Sequence, residues 1–143
     1  MDITTPAFTK AEVVAAVIPD SYERLAGQTL TGGVGAHVKG AWVELDASTA
    51  RRVLSLTVVV ISGNTASEPL DVDIGVGAGG SEAVLIGDIP YATPALNSTA
   101  SFTNIQFAVE IDAGTRIAAR CSSTAGAGTE TCVIRVWEGN QKV

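Results

Sequence analysis

Apolar and polar residues alternate over much of the second half of the chain. Leu70, Val72, Ile74 and Val76 fall on one side of an extended segment, with Asp71 and Asp73 on the other. Ile105, Phe107, Val109 and Ile111 oppose Gln106, Ala108 and Glu110 in the same way. A period of two sets one strand face against a core and leaves the other to water, the habit of antiparallel sheets. The densest apolar run, Arg51 to Ile61, is rich in β-branched residues and long enough to cross a sheet. Strands are predicted over 41–46, 52–61, 70–76, 83–89, 102–111, 115–122 and 131–138, with Gly-, Ser-, Thr- and Asp-rich turns between them. This spacing predicts a mainly β chain, an antiparallel β-sandwich or jelly roll over residues 41–143. The longest connection, 89–101, contains Pro90 and Pro94 and predicts a crossover between sheets or a contact loop.

Residues 1–40 follow a different pattern and predict an N-terminal arm with a short helix. Residues 1–8 read as extended. Thr9-Lys10-Ala11-Glu12 is a capping box, and Phe8 and Val13 stand where a hydrophobic staple would close. Val13, Val14 and Val17 line one side and Pro19 bars continuation, so the helix is expected over about Lys10 to Val17. A further turn is expected near Ser21–Ala26, with Ser21 as its cap. A helix this short is marginal alone in water. It must lie against something: an open end of the sandwich, or a neighbouring subunit, in which case Phe8, Val13 and Val17 are interface residues. Gly27, Gly32, Gly33, Gly35 and Gly40 make 27–40 a flexible lead-in, and His37 within it is a solitary surface histidine.

Length and charge narrow the classes. At 143 residues the chain is one domain with room for a real core. Nine Lys and Arg against 15 Asp and Glu leave a net charge of −6, which lacks the footprint for gripping phosphate backbones; no nucleic-acid partner is expected. The longest apolar stretch falls far short of the roughly 20 residues that span a bilayer, so no membrane partner is expected either. The N-terminus has no basic flank or apolar h-region, which points to synthesis and use in a cytoplasm, or export inside a larger particle.

Candidate chemistry is sparse. Gly75-Val76-Gly77-Ala78-Gly79-Gly80 matches G-x-G-x-x-G, but a strand-like run ending at Pro90 follows where a dinucleotide site needs a helix; a glycine-rich hairpin loop is the better reading. Asp71 and Asp73, with Glu68 and Asp88, lack the loop spacing of a calcium site and read as a solvated strand face. His37 in its glycine-rich leader gives no support to a Ser-His-Asp arrangement. No enzyme activity, cofactor or metal is expected. Cys121 and Cys132 would be cross-strand neighbours in a hairpin turning around Thr124–Thr129, with Ala119 opposite Ile134 and Ile117 opposite Val136. They are buried thiols in a reducing compartment or a staple outside one. The other face of that hairpin would group Arg116, Arg120, Arg135 and Trp137 as a subunit interface or an ion-pair ladder, with Glu138 or Glu110 as partners.

Two segments carry a family resemblance. The stretch Asp71 to Ile86, including Gly75-Val76-Gly77-Ala78-Gly79-Gly80, resembles a strand–loop–strand of tailed-bacteriophage virion structural proteins. Ile111-Asp112-Ala113-Gly114-Thr115-Arg116-Ile117-Ala118-Ala119-Arg120 resembles a stretch that follows it in the same proteins, with Asp112 where they carry proline. The opening run Ala41-Trp42-Val43-Glu44-Leu45 fits the start of such a domain, so the resemblance covers about 41–138. It implies a non-enzymatic head decoration or cement protein that binds the major capsid protein and cross-links the shell. The expected form is a homotrimer, located in the virion and assembled in the host cytoplasm. The alternatives are a tail, baseplate or fibre-base component, or a carbohydrate-binding module stacking sugars on Trp42, Trp137, Tyr22 and Tyr91.

Overall fold

β-branched and aromatic residues at alternating positions build strands almost throughout. The computed structural model describes the backbone over 13–18, 28–62, 69–91, 104–124 and 131–141, and side chains over 28–59, 69–91 and 105–124. The strands are β1 (Val13–Ile18), β2 (Gln28–Thr31), β3 (Val43–Asp46), β4 (Val53–Ser62), β5 (Leu70–Val76), β6 (Ala83–Tyr91), β7 (Asn104–Ile111), β8 (Ile117–Ser123) and β9 (Thr131–Gln141). Sheet A runs β1-β9-β4-β7, with β2 also on β9; sheet B runs β3-β8-β5-β6. Every pairing is antiparallel. The partners nest: β2 with β9, β3 with β8, β4 with β7, and β5 with β6.

One apolar cluster joins the sheets. Leu30, Val53, Leu56 and Val58 from sheet A meet Leu70, Val72, Ile74, Ile117, Ala119 and Cys121 from sheet B, all fully buried. The alternation predicted for β5 holds on its inner side, and that predicted for β7 holds along the strand. In β4 the inward set changes parity, from Val53 to Leu56 and Val58. A bulge between Val53 and Ser55, against both β7 and β9, absorbs the odd residue and keeps the apolar side chains on the core.

Several expectations are corrected. Among the described residues no helix forms, and Val13–Ile18, placed in the predicted helix through Val17, is a strand on β9. Val13, Val14, Val17 and Ile18 lose little in extended backbone, and β9 pairs the row of their amides that faces it, whereas a lone two-turn helix would leave its first four amides open. Phe8, Thr9 and Glu12 lie outside the described residues. The boundary at residue 40 does not separate an arm from the sandwich. Leu30 of β2 sits in the core, and the segment after it is pinned to β8 by the amides of His37 and Gly40, which donate to the carbonyls of Ser123 and Cys121. Pro90 does not end its strand: β6 runs on to Tyr91, which an edge strand permits because one row of its amides needs no sheet partner. The connection after Tyr91 passes from sheet B to sheet A, the first of the two forms expected for it.

Cys121 and Cys132 are not hairpin neighbours. β8 and β9 belong to different sheets, with Cys121 opposite Val72 and Cys132 opposite Leu30. The inward alternation of β8 is equally served by β5, and the local sequence cannot tell one apolar partner strand from another.

Thr49, buried before β4, ties two turns at one end of the sheets. Its hydroxyl donates to the carbonyl of Asp112 and accepts from the amide of Thr115, while its backbone bonds Thr115 and Gly114. Thr49→Val keeps the shape and leaves the part-buried Thr115 amide and Asp112 carbonyl without this partner. It should cost about 1–3 kcal/mol, read as a lower urea midpoint at unchanged slope.

Candidate functional site

On the outward side of β5 and β8, the two central strands of sheet B, Asp73, Gly75, Ala118 and Ser122 are buried, and Asp71 and Arg120 are half-buried. Asp73 stands directly opposite Arg120, and its side chain is 3% exposed. Arg120 Nε donates to Asp73 Oδ2 at 2.8 Å. Lys39 Nζ donates to Asp73 Oδ1 at 2.8 Å, and the Asp88 amide donates to the same oxygen at 2.9 Å. That amide is available because β6 bulges there: Val72 pairs with Ile89 and Ile74 with Ile86, leaving Gly87 and Asp88 against Asp73. Asp88 takes φ of 52°, a left-handed geometry that Asp tolerates better than most residues. Its own carboxylate, 80% exposed, closes the group at 2.8 Å from Lys39 Nζ.

Trp42, just before β3, leans on this network. The Arg120 guanidinium lies over its ring, 4.4 Å from the centroid. A Cβ on Gly75 would fall 2.6 and 2.8 Å from ring atoms of Trp42, so the indole packs on bare backbone at that position. The first glycine of the G-x-G-x-x-G run therefore makes room for an aromatic ring. Gly77 and Gly80, at φ of 115° and 82°, turn the β5–β6 hairpin, as the loop reading required.

A second charged group lies toward the β5–β6 turn. Arg116 Nε donates to Glu44 Oε2 at 2.8 Å, and Nη1 donates to Glu82 Oε1 at 2.7 Å and to the Gly77 carbonyl at 3.4 Å. On sheet A, Arg52 pairs with Glu110.

The charges are settled within each group. Burial on its own would raise Asp73, but the Asp88 amide, Lys39 and Arg120 outweigh it and hold the carboxyl below its ordinary 3.8. Burial on its own would lower Lys39, but Asp73 and Asp88 hold it above 10.5. Hydrogen bonding to Glu44, and less so to Glu82, raises Arg116 against a smaller burial effect. Glu82 is lowered by its own backbone amide and Arg116, against burial. These groups stay charged through the neutral range and are poor general acids or bases. Among the described residues no group of three or more His, Cys, Asp or Glu could hold a metal ion. The position a cation would take between Asp73 and Asp88 is filled by the Lys39 ammonium.

The predicted quartet is divided. Arg116 and Arg120 share the outer side of sheet B as ion-paired residues, whereas Arg135 and Trp137 belong to β9 of sheet A. Val13 and Val17 lie in β1, opposite Gln141 and Trp137. Cys121 is in the core, and His37 is exposed at φ of 59°. Asp73, expected on a wet face, is buried; its partners Lys39 and Arg120 are 34 and 47 residues away, a separation no local pattern reports. Lys39 carries no signal in the sequence beyond being a cation beside a glycine-rich leader, and Trp42 stands out only in the opening run and as a sugar-stacking candidate, not as a partner of Arg120 and Gly75.

No family model matches the chain, and no curated protein does. Among solved structures the chain is similar to one of the infectious bursal disease virus Gx strain, with 10% sequence identity and a TM-score of 0.42. The likeness covers 90% of this chain and 33% of that one, so this chain spans about a third of the other's length. At that score it carries nothing about function.

Asp73→Asn should cost about 2–3 kcal/mol at neutral pH, less than a fully buried pair because Lys39 and Arg120 are part exposed. The folded Asp73 value lies below the unfolded one, so the unfolded chain takes up this proton first as pH falls. The contribution is whole above about pH 5 and lost as pH drops through the folded value. The variant's stability should therefore fall less than the parent's between about pH 5 and pH 2, in urea melts across that range. Gly75→Ala should displace the indole, read as a shift in tryptophan emission with a loss of about 1–3 kcal/mol.

Proposed function

We propose that this chain is a non-enzymatic virion structural protein with a jelly-roll domain. In this reading it binds the major capsid protein of a tailed bacteriophage and cross-links the shell as a cement or decoration protein, in the form of a homotrimer. The observation that carries the reading is the nested pairing of β2–β9, β3–β8, β4–β7 and β5–β6. A long hairpin of paired strands wound on itself has this order, and viral capsid and lectin domains use it. Fold alone does not choose between them, but two further observations bear on the choice. The two segments that resemble phage virion proteins meet in space, because Arg116 of one bonds Gly77 and Glu82 of the other. Two aromatics of the sugar-binding alternative are engaged inside the protein: Trp42 against Gly75 and Arg120, and Tyr91 buried with its hydroxyl on the Val58 carbonyl.

The mechanism is mechanical. A surface whose charges are already paired keeps its shape when pressed on a lattice strained by packaged DNA, and each copy ties neighbouring subunits together. The virion is then its location, reached by assembly in the host cytoplasm.

Binding to purified heads that lack the protein tests this. Saturation at hundreds of copies per particle, weakened by removing residues 1–26, is the expected result. Copies found only on tails, at about six to a few dozen per particle by symmetry, would support the tail or baseplate reading instead. Retention on glycan columns, lost in Trp137→Ala, would support the carbohydrate reading.

A further inference from the structure

β1 and β2 lie end to end along the same edge of β9. Ile18, the last residue of β1, is opposite Val136, and Gln28, the first of β2, is opposite Ile134. Only Arg135 separates these two positions on β9, a gap of about 7 Å along a strand. Residue 19 to residue 27 is nine residues of chain, enough to reach roughly 30 Å when extended. A single residue would join the two strands in place.

The two strands are held differently. β2 meets β9, β8 and β3, and Leu30 is fully buried in the core. Among the described strands β1 pairs with β9 alone. Its six register pairs, Val13–Gln141 through Ile18–Val136, could form against the same edge of another copy with none lost. An exchange that conserves every pairing costs little beyond association, which is why swapped elements are a ready route to closed oligomers.

We propose that β1 is an exchangeable strand, and that in the assembled protein it pairs with β9 of a second copy of this chain. Residues 19–27 join β1 to β2 in sequence, and residues 136–141 of β9 are the docking edge. Carried around a ring, the exchange closes an oligomer in which each copy lends β1 to the next. This deepens the assembly reading above and relies on it only for the use made of the link.

The test needs no capsid. Ala16→Cys in one chain and Glu138→Cys in a mass-tagged second chain, refolded together and oxidised, should give a covalent pair joining those two sites. Mass spectrometry of the linked peptide separates this bond from any made by Cys121 or Cys132. Val13→Cys with Gln141→Cys repeats it at the other class of cross-strand pair, since only one class need suit a disulfide. The full chain should also sediment as an oligomer that a chain lacking residues 1–18 does not form. A full chain that stays monomeric at every concentration overturns the proposal, as does linkage only within chains carrying both cysteines. A monomer that still saturates heads would overturn strand exchange and keep the virion role; an exchanged oligomer that ignores heads would do the reverse.

Discussion

The apolar layer between the sheets sets the terms for every strand around it. Sliding any strand by one residue would turn its inward side chains to water, so register is held wherever that layer is dry. β4 shows the strength of the constraint. Its inward residues run Val53, Leu56, Val58, and the backbone bulges against two neighbours at once so that none of the three leaves the core. β5 keeps Leu70, Val72 and Ile74 inward, while its partner β6 takes up two extra residues at two register shifts, one of them opposite Asp73.

The bulge opposite Asp73 links the core to the outer surface of sheet B. Holding Ile86 and Ile89 in register leaves the Asp88 amide without a strand partner, and Asp73 supplies the acceptor. A carboxylate so deeply covered needs compensating charge, which Lys39 and Arg120 provide. Lys39 in turn helps hold the segment between β2 and β3, and Arg120 holds Trp42 over Gly75. Core register, bulge, ion pairs and aromatic packing thus form one chain of causes, and its product is an outer surface on which Lys39, Arg116 and Arg120 are paired to carboxylates.

Strands with a clear period of two were legible within a few residues: the run expected at 70–76 is β5, and that expected at 102–111 contains β7. The N-terminal valines misled because the same residues fit a short helix or a short strand, and only a free edge on β9 decides between them. The cysteines misled because a β8–β9 hairpin groups the apolar residues of both strands on one face as well as the true pairing does, whereas β8 and β9 take partners in opposite sheets. Asp73 misled because alternation reports which side of a strand a residue is on, and not what covers that side.

By itself, then, the sequence determined the β character, the positions of the central strands, the inward residues of β5 and β7, and the hairpin use of the glycine run. These rest on local chemistry: side-chain alternation, turn residues and the geometry of proline and glycine. Tertiary structure alone decided which strand pairs with which, that Val13–Ile18 is extended, and that Asp73, Lys39, Arg120 and Trp42 meet. Each of these depends on groups tens of residues apart in the chain, brought together only when the two sheets close over their common core.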